Sequence, residues 1–412
     1  MSGNLASSAL GFISFAIMAR SLGPELLAYF ALAQVYALTM NDLFNVQTWE
    51  SLIKFGAKQG EEHQLARTVK TNLLIDCSSA IVAFVIAILL IKRIGTMLEW
   101  NESLIELAVL YSFIIPFTIT TLTIGVPRLF NKFAVIAKIQ FVMAALKLIS
   151  ISIVSYFDGE AIAFTATYIV IDILINLALI GYSLLLLKQN KVLNWRNAKF
   201  HLTREQIRFL WWTNLRTIVR IPVRKLDVVI INQVMPMTTV GIYKAYKEIV
   251  GIIGRLGEPI NQAIYPEYAK LLGKQKTADT ISITKSIMRI LLPVAVVTVI
   301  VFLVVSEWII ETLFGVEYLT FMTAFYLLIV LNCISLFLTP INSLFIAAGF
   351  AKFSFYIVLL NNILYLAVAI LGGMYFGIYG VVVAFAVQMI FNQGSKIMCL
   401  RKYSSGWGSV IR

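Results

Sequence analysis

The sequence predicts an all-α polytopic membrane protein: about twelve transmembrane helices in two six-helix lobes, with both termini in the cytoplasm. Three observations predict it. Of the 412 residues 59% are apolar and only 13% charged, with mean hydropathy +0.85, whereas soluble domains run at about half apolar and a quarter charged. Apolar runs of membrane-crossing length recur along the whole chain. Basic residues gather in alternate loops, so the net charge of +13 is a topology signal, and no nucleic-acid partner is expected.

A hydrocarbon core about 30 Å thick needs roughly 20 helical residues. By that rule the spans fall near 3–19, 26–47, 71–91, 104–125, 139–157, 161–187, 209–234, 241–265, 286–306, 321–341, 354–374 and 379–398. The first is short for a span, so either the native start lies a few residues earlier or Met1 is an internal start. It shows no cleavable signal and acts as an uncleaved first span.

One set of loops carries Lys54, Lys58, Arg67 and Lys70, then Arg128, Lys132 and Lys138, then Lys188, Lys191, Arg196, Lys199, Arg204 and Arg208. The same side continues with Lys270, Lys274, Lys276, Lys285, Arg289 and Lys352, and ends with Lys396, Arg401, Lys402 and Arg412. The opposite loops carry only Arg20, Lys92 and Arg93. The positive-inside rule puts the rich side in the cytoplasm, and an even span count leaves both termini there.

The outer loops are short: Asp158-Gly-Glu160, the stretch around Pro236, and at the longest Glu307 to Thr320. An enzyme working on sugars outside the membrane would need a larger ordered loop for its acid, base and acceptor, so no enzyme is expected. Cys77, Cys333 and Cys399 lie in apolar runs without metal-like spacing and read as reduced buried thiols. His63 and His201 are isolated, so neither a metal site nor a cofactor is expected.

The chain echoes itself. Ser21-Leu-Gly-Pro-Glu-Leu-Leu-Ala-Tyr29 follows the first span and Val234-Met-Pro-Met-Thr-Thr-Val-Gly-Ile-Tyr243 follows the seventh. Each is a short outer turn with a proline, then an aromatic a few residues into the next helix. This divides the chain into lobes at 1–187 and 209–412 joined by a cytoplasmic linker 188–208, a parallel repeat whose halves can rock about a central site.

Charge inside the spans points to that site. Arg216, Arg220, Arg224 and Asp227 recur at four, four and three residues, within about a quarter of a helix circumference. Three unpaired arginines facing lipid would cost about 10 kcal/mol, so a wet basic cavity and an anionic cargo are expected. Snorkelling to the cytoplasmic surface would explain Arg216, but Arg224 lies about 12 Å farther along the helix. Lys225 points to the opposite side. In span one Asn4, Ser7, Ser8, Gly11 and Ser14 share a face, which also fits small-residue helix packing. In span two Gln34, Asn41 and Asn45 align, with Asp42 beside them. In span eight Lys244, Lys247, Glu248, Gly251, Arg255 and Glu258 share a face, where the acids could simply neutralise Lys244 and Arg255. Lys147 and Asp172 are lone intramembrane charges and candidates to pair. Pro222 and Pro259 remove backbone hydrogen bonds and mark candidate hinges.

At these residues the chain resembles the polysaccharide-transporter branch of the multidrug/oligosaccharidyl-lipid/polysaccharide (MOP) superfamily, nearest its Wzx-type O-antigen and repeat-unit flippases. The resemblance is carried by Ala19-Arg-Ser-Leu-Gly-Pro-Glu25, Asn45-Val-Gln-Thr-Trp-Glu-Ser-Leu-Ile-Lys-Phe-Gly56, Gly125-Val-Pro-Arg-Leu-Phe-Asn131, Gly241-Ile-Tyr-Lys-Ala245, Tyr265-Pro-Glu-Tyr-Ala-Lys270 and Gly377-Ile-Tyr-Gly380, in order over almost the whole chain. Ala28 departs from a position that is commonly glycine in that family. The resemblance implies a multi-pass protein of the bacterial inner membrane with the two-lobe fold of multidrug (MATE) transporters. It implies a flippase for undecaprenyl-pyrophosphate-linked oligosaccharides, the precursors of O-antigen, capsule or exopolysaccharide. Arg216, Arg220, Arg224, Lys244, Lys247 and Arg255 would then hold the pyrophosphate, and Gln34, Asn41 and Asn45 the sugars. An ion gradient would act through Asp227, Glu248, Glu258 or Asp42. Membrane lipids, a polysaccharide polymerase and glycosyltransferases are the implied partners. Three alternatives stand beside it. A MATE-type cation exporter would favour carboxylates over the arginine face, a membrane polymerase or ligase would need larger outer loops, and a glycan-assembly scaffold would leave the arginines unexplained.

Overall fold

The computed structural model describes residues 2–56, 62–190, 192 and 198–403, without the side chains of 2–5, 62–64, 223–224, 258–259, 262, 351 and 402–403. These residues form α-helices and short 3₁₀ or π turns, with no strand among them. They divide into two compact units, Met1–Ile221 and Pro222–Arg412.

In the first unit α1 (Ser2–Phe44) contains the first two expected spans. They meet at Gly23, whose φ of 70° and ψ of 172° suit a residue without Cβ, and Pro24 opens the second helix. Helix α2 (Thr48–Gly56) is short and amphipathic, and its Leu52 packs with Val69, Leu122, Val126 and Leu186. Helix α3 (Glu62–Met97) extends the expected span 71–91 at both ends. The expected span 104–125 is not one helix. Helix α4 (Glu102–Ser112) starts on an Asn101 cap, which accepts the Leu104 amide at 2.9 Å. It gives way to a 3₁₀ turn (Ile115–Phe117), a π turn (Thr121–Gly125) and α5 (Val126–Leu129), with a 58° bend between the halves. Pro116 and Pro127 supply no amide to the ladder there, which weakens a continuous helix.

Helices α6 (Phe133–Tyr156) and α7 (Ala161–Gln189) carry the two lone charges, and these pair: Lys147 Nζ donates to Asp172 Oδ1 at 2.5 Å. The ammonium also stands 3.8 Å from the Tyr168 ring centroid. The first unit closes with α8 (Arg204–Ile221), capped by reciprocal Thr203–Gln206 bonds at 3.0 and 3.2 Å. Contacts place α8 with the first unit, so the compact units divide at Ile221–Pro222 and not within the polar stretch 188–208.

The second unit opens with a π turn (Pro222–Leu226), then α9 (Asp227–Val234), α10 (Met237–Arg255) and α11 (Gly257–Gly273). The expected span 241–265 is interrupted at Leu256. Pro259 has no amide to give the Arg255 carbonyl, the i−4 acceptor of a regular helix. Helix α12 (Thr277–Leu313) leaves Ile290, Val294, Val297, Val301 and Val304 exposed at alternating spacings of four and three, a stripe suited to acyl chains. A 3₁₀ turn (Val316–Leu319) leads to α13 (Met322–Phe337) and α14 (Thr339–Ala347), again a span broken before a proline, Pro340. Helices α15 (Ala351–Phe376) and α16 (Ile378–Tyr403) form a hairpin turned at Gly377, φ 57°. The hairpin is tight because Gly372 and Gly380 meet: a Cβ on Gly372 would lie 2.9 Å from the Gly380 carbonyl oxygen.

Among the described residues eight helices are long and apolar enough to cross a membrane, nine with the bent pair 102–117 and 121–129. Because α1 holds two spans, and 209–234 and 241–265 are too charged to qualify by hydropathy, the twelve-span layout accommodates them all.

Candidate functional site

The charged residues singled out by spacing do not form one row. A continuous face through Arg216, Arg220, Arg224 and Asp227 requires an unbroken α-helix, and the helix ends at Ile221. Pro222 lacks the amide owed to Ile218, and the π turn that follows takes one more residue per turn, which rotates everything after it. Asp227 is consequently turned inward, 3% exposed. The side chain of Arg224 lies outside the described residues.

Within the first unit Arg216 is already compensated. One of its terminal nitrogens donates to both Glu50 oxygens, at 2.5 and 2.6 Å. The pair is half exposed at the guanidinium and joins α8 to α2. Lys54 of α2 reaches Glu205 of α8 at 3.3 Å, one turn from the Phe55–Phe209 ring contact. Glu50 was not among the residues that spacing identified. Arg220 is exposed.

The polar residues of span two split. Gln34 donates to the Tyr111 hydroxyl at 2.8 Å and stays partly accessible. Asn45 is 1% exposed, and its groups are engaged on every side. Its amide donates to Asn41 Oδ1 at 3.0 Å and to Thr118 at 3.1 Å, and its carbonyl accepts Ser79 at 2.9 Å. Thr118 also donates to Asn41 at 2.7 Å. This network fastens α1 to α3 and to the broken fourth span, so Asn45 acts in the structure as a tie between helices. Asn41 shares the tie but is partly accessible, as is Asp42 beside it. In span one Ser14 donates to the Leu10 carbonyl at 2.8 Å, and Asn4 lies among the undescribed side chains.

In the second unit α9 and α10 bring their charges together. Lys247 Nζ donates to the two Asp227 oxygens at 2.8 and 2.6 Å, and the Tyr243 hydroxyl donates to Asp227 Oδ2 at 2.9 Å. The Val228 amide adds a fourth contact, to Oδ1 at 2.9 Å. One turn along α10, Lys244 donates to Glu248 at 2.8 Å, and Arg255 stands 3.9 Å from the other Glu248 oxygen. Lys244, Lys247, Glu248, Gly251 and Arg255 therefore do form the expected stripe. The stripe ends at Arg255, because Glu258 belongs to α11 and its side chain is undescribed.

The pairing leaves a surplus of positive charge. From Pro222 to Arg255 the sequence has five basic side chains, Arg224, Lys225, Lys244, Lys247 and Arg255, against two acids, Asp227 and Glu248. Both acids are already engaged by lysines of α10. The arrangement can therefore attract an anion, and it has no carboxylate without a cation to offer a cationic ligand. Tyr243, which spacing marked only as a turn-following aromatic, joins this charged cluster through its bond to Asp227.

Comparisons with known proteins fit this frame. Residues 1–272 match a family described as polysaccharide biosynthesis protein. The chain is 21% identical over 329 residues to the inner membrane protein YghQ of Escherichia coli K12, covering 77% of this chain and 91% of that protein. Among solved structures it is similar to a MATE family multidrug resistance transporter of the MOP superfamily in an inward-facing conformation. There the TM-score is 0.74 at 16% identity, over 97% of this chain and 96% of that one. It is also similar to the lipid II flippase MurJ in an inward closed conformation, with a TM-score of 0.76 at 14% identity over 97% and 87% of the two chains.

Proposed function

Because the chain belongs to the polysaccharide biosynthesis protein family, we propose that it is a flippase of the bacterial inner membrane for undecaprenyl-pyrophosphate-linked oligosaccharide repeat units. The cargo would be a precursor of O-antigen, capsule or exopolysaccharide, moved by alternating access. One observation carries the reading: the basic surplus between Pro222 and Arg255, in which both acids are already held by lysines. A pyrophosphate is strongly anionic and offers many acceptor oxygens to guanidinium and ammonium donors. In the second unit Arg255, at the open end of the stripe, is exposed and is a contact for the headgroup; in the first unit Arg220 on α8 is exposed as well and is a separate candidate contact. Gln34 and Asn41, partly accessible, are suited to sugar hydroxyls. Asn45 is too enclosed for that and holds Asn41 through its side-chain amide. The same pairing of Asp227 and Glu248 disfavours export of a cationic drug, which would have to displace a lysine from each.

The test is in cells. Arg220→Ala and Arg255→Ala should each lower surface glycan by at least about tenfold, the loss expected for one charge-assisted hydrogen bond to the cargo. Membrane abundance should be unchanged, since both side chains are exposed. Normal glycan in the double variant would overturn the assignment.

A further inference from the structure

Asp76 has no part in the reading above. It lies on α3, inside the Leu65–Met97 span, and is fully buried. Its Oδ2 accepts the Thr121 amide at 2.6 Å and the Thr120 hydroxyl at 3.3 Å. The Thr48 hydroxyl of α2 completes the cluster, 2.7 Å from Thr121 Oγ1 and 3.1 Å from Thr120 Oγ1. The other carboxyl oxygen, Oδ1, is equally buried and has no hydrogen-bond partner among the described residues.

The break in the fourth span makes this possible. In a regular helix the Thr121 amide would bond to the carbonyl of Phe117. Here the 3₁₀ turn ends at Phe117 and the π turn begins at Thr121, so that amide points to Asp76 instead. A broken span thus delivers one amide and one hydroxyl to a carboxyl group that sits in an apolar stretch, with the Thr121 hydroxyl beside them bonded to Thr48.

We propose that Asp76, with Thr48, Thr120 and Thr121, binds a small monovalent cation, a proton or a sodium ion, within the first compact unit. A bare carboxylate oxygen inside a membrane span is costly unless neutralised. A proton on the carboxyl group removes the charge. A sodium ion does so too, since a threonine hydroxyl that donates in the empty site can rotate to present its lone pairs. A single carboxylate with three hydroxyls is a poor match for calcium, which takes six to eight oxygens, often from several carboxylates. Of the titratable groups nearby, Cys77 follows Asp76 in the chain, Asp42 lies on α1 beyond Asn41, and Glu50 of α2 is held by Arg216. Asn45, just after α1, reaches Ser79, which is three residues along α3 from Asp76 and also bonds to the Asp76 carbonyl. The site is contained in the first unit and is independent of the cargo assigned above.

The experiment uses the purified full-length protein in lipid nanodiscs, without cargo. In one arm sodium chloride replaces choline chloride at fixed ionic strength and Tm is followed. In the other, infrared difference spectra across pH follow the C=O band of a protonated carboxyl group. The wild type is expected to respond in at least one arm, which identifies the cation, and Asp76→Asn, which keeps the shape and removes the charge, is expected to lose that response. Should Asp76→Asn not fold, Thr120→Val, which leaves the Thr121 amide contact in place, should weaken the response on the order of tenfold. A wild type silent in both arms, or a response undiminished in a folded Asp76→Asn or in Thr120→Val, overturns the proposal.

Discussion

Removing Lys247 should destabilise the protein more while Asp227 keeps its charge than when Asp227 is already Asn. Asp227 is 3% exposed and accepts four contacts, two of them from Lys247. Among the described residues, the carboxylate in Lys247→Met keeps the Tyr243 hydroxyl and the Val228 amide, both neutral donors. Leaving a buried charge without its partner costs about 3–5 kcal/mol. That is a large part of the roughly 5–15 kcal/mol that holds a typical domain together. Asp227→Asn leaves the lysine instead, whose side chain is one third exposed, so the loss should be smaller, about 1–3 kcal/mol. In the double variant neither group is charged, and the cost of Lys247→Met should fall by at least about 2 kcal/mol. The assay is a double-mutant cycle on unfolding of the purified protein in detergent. Additivity within about 0.5 kcal/mol would show that the pair is not the clamp between α9 and α10 that the distances describe.

Two further outcomes follow from the packing. Gly380→Ala should lower stability by about 1–3 kcal/mol or prevent accumulation in the membrane, because the new Cβ would enter the Gly372 carbonyl across the hairpin; a normal Tm would refute the close approach. Lys147→Met should cost about 3–5 kcal/mol by stranding Asp172, and Lys147→Met with Asp172→Leu should recover most of it. Equal Tm in the single and double variants would refute that pairing.

The spans were legible because hydropathy acts locally: twenty adjacent side chains decide whether a helix belongs in lipid. Prolines acted locally too, and the breaks at Pro222 and Leu256 fall where a missing amide dictates. The fourth span is expected to be continuous over 104–125, although Pro116 within it supplies no amide; the size of its bend depends on packing that the sequence does not display. The site was half legible. The α10 stripe follows from helical spacing alone, and its Lys244–Glu248 pair lies at i, i+4. Partners distant in sequence carried no such signal: Glu50 lies 166 residues before Arg216, and Thr121 lies 45 after Asp76. A carboxylate alone in the run Leu73-Leu-Ile-Asp76-Cys77 was the available hint, since a charge in a span needs a reason. Lys396 shows the converse. It reads as a loop charge that sets topology, yet it sits on α16, buried, and donates to Asn342 at 2.6 Å.

Reconstitution tests the central claim most directly. The purified protein in liposomes, with an undecaprenyl-pyrophosphate-linked oligosaccharide in one leaflet, is followed by the exposure of the sugar to an enzyme outside the vesicle. Translocation should exceed that of protein-free liposomes and should fall to their level in the Arg220→Ala/Arg255→Ala variant. Translocation no faster than in protein-free liposomes, whether a proton gradient, a sodium gradient or neither is imposed, would contradict the assignment.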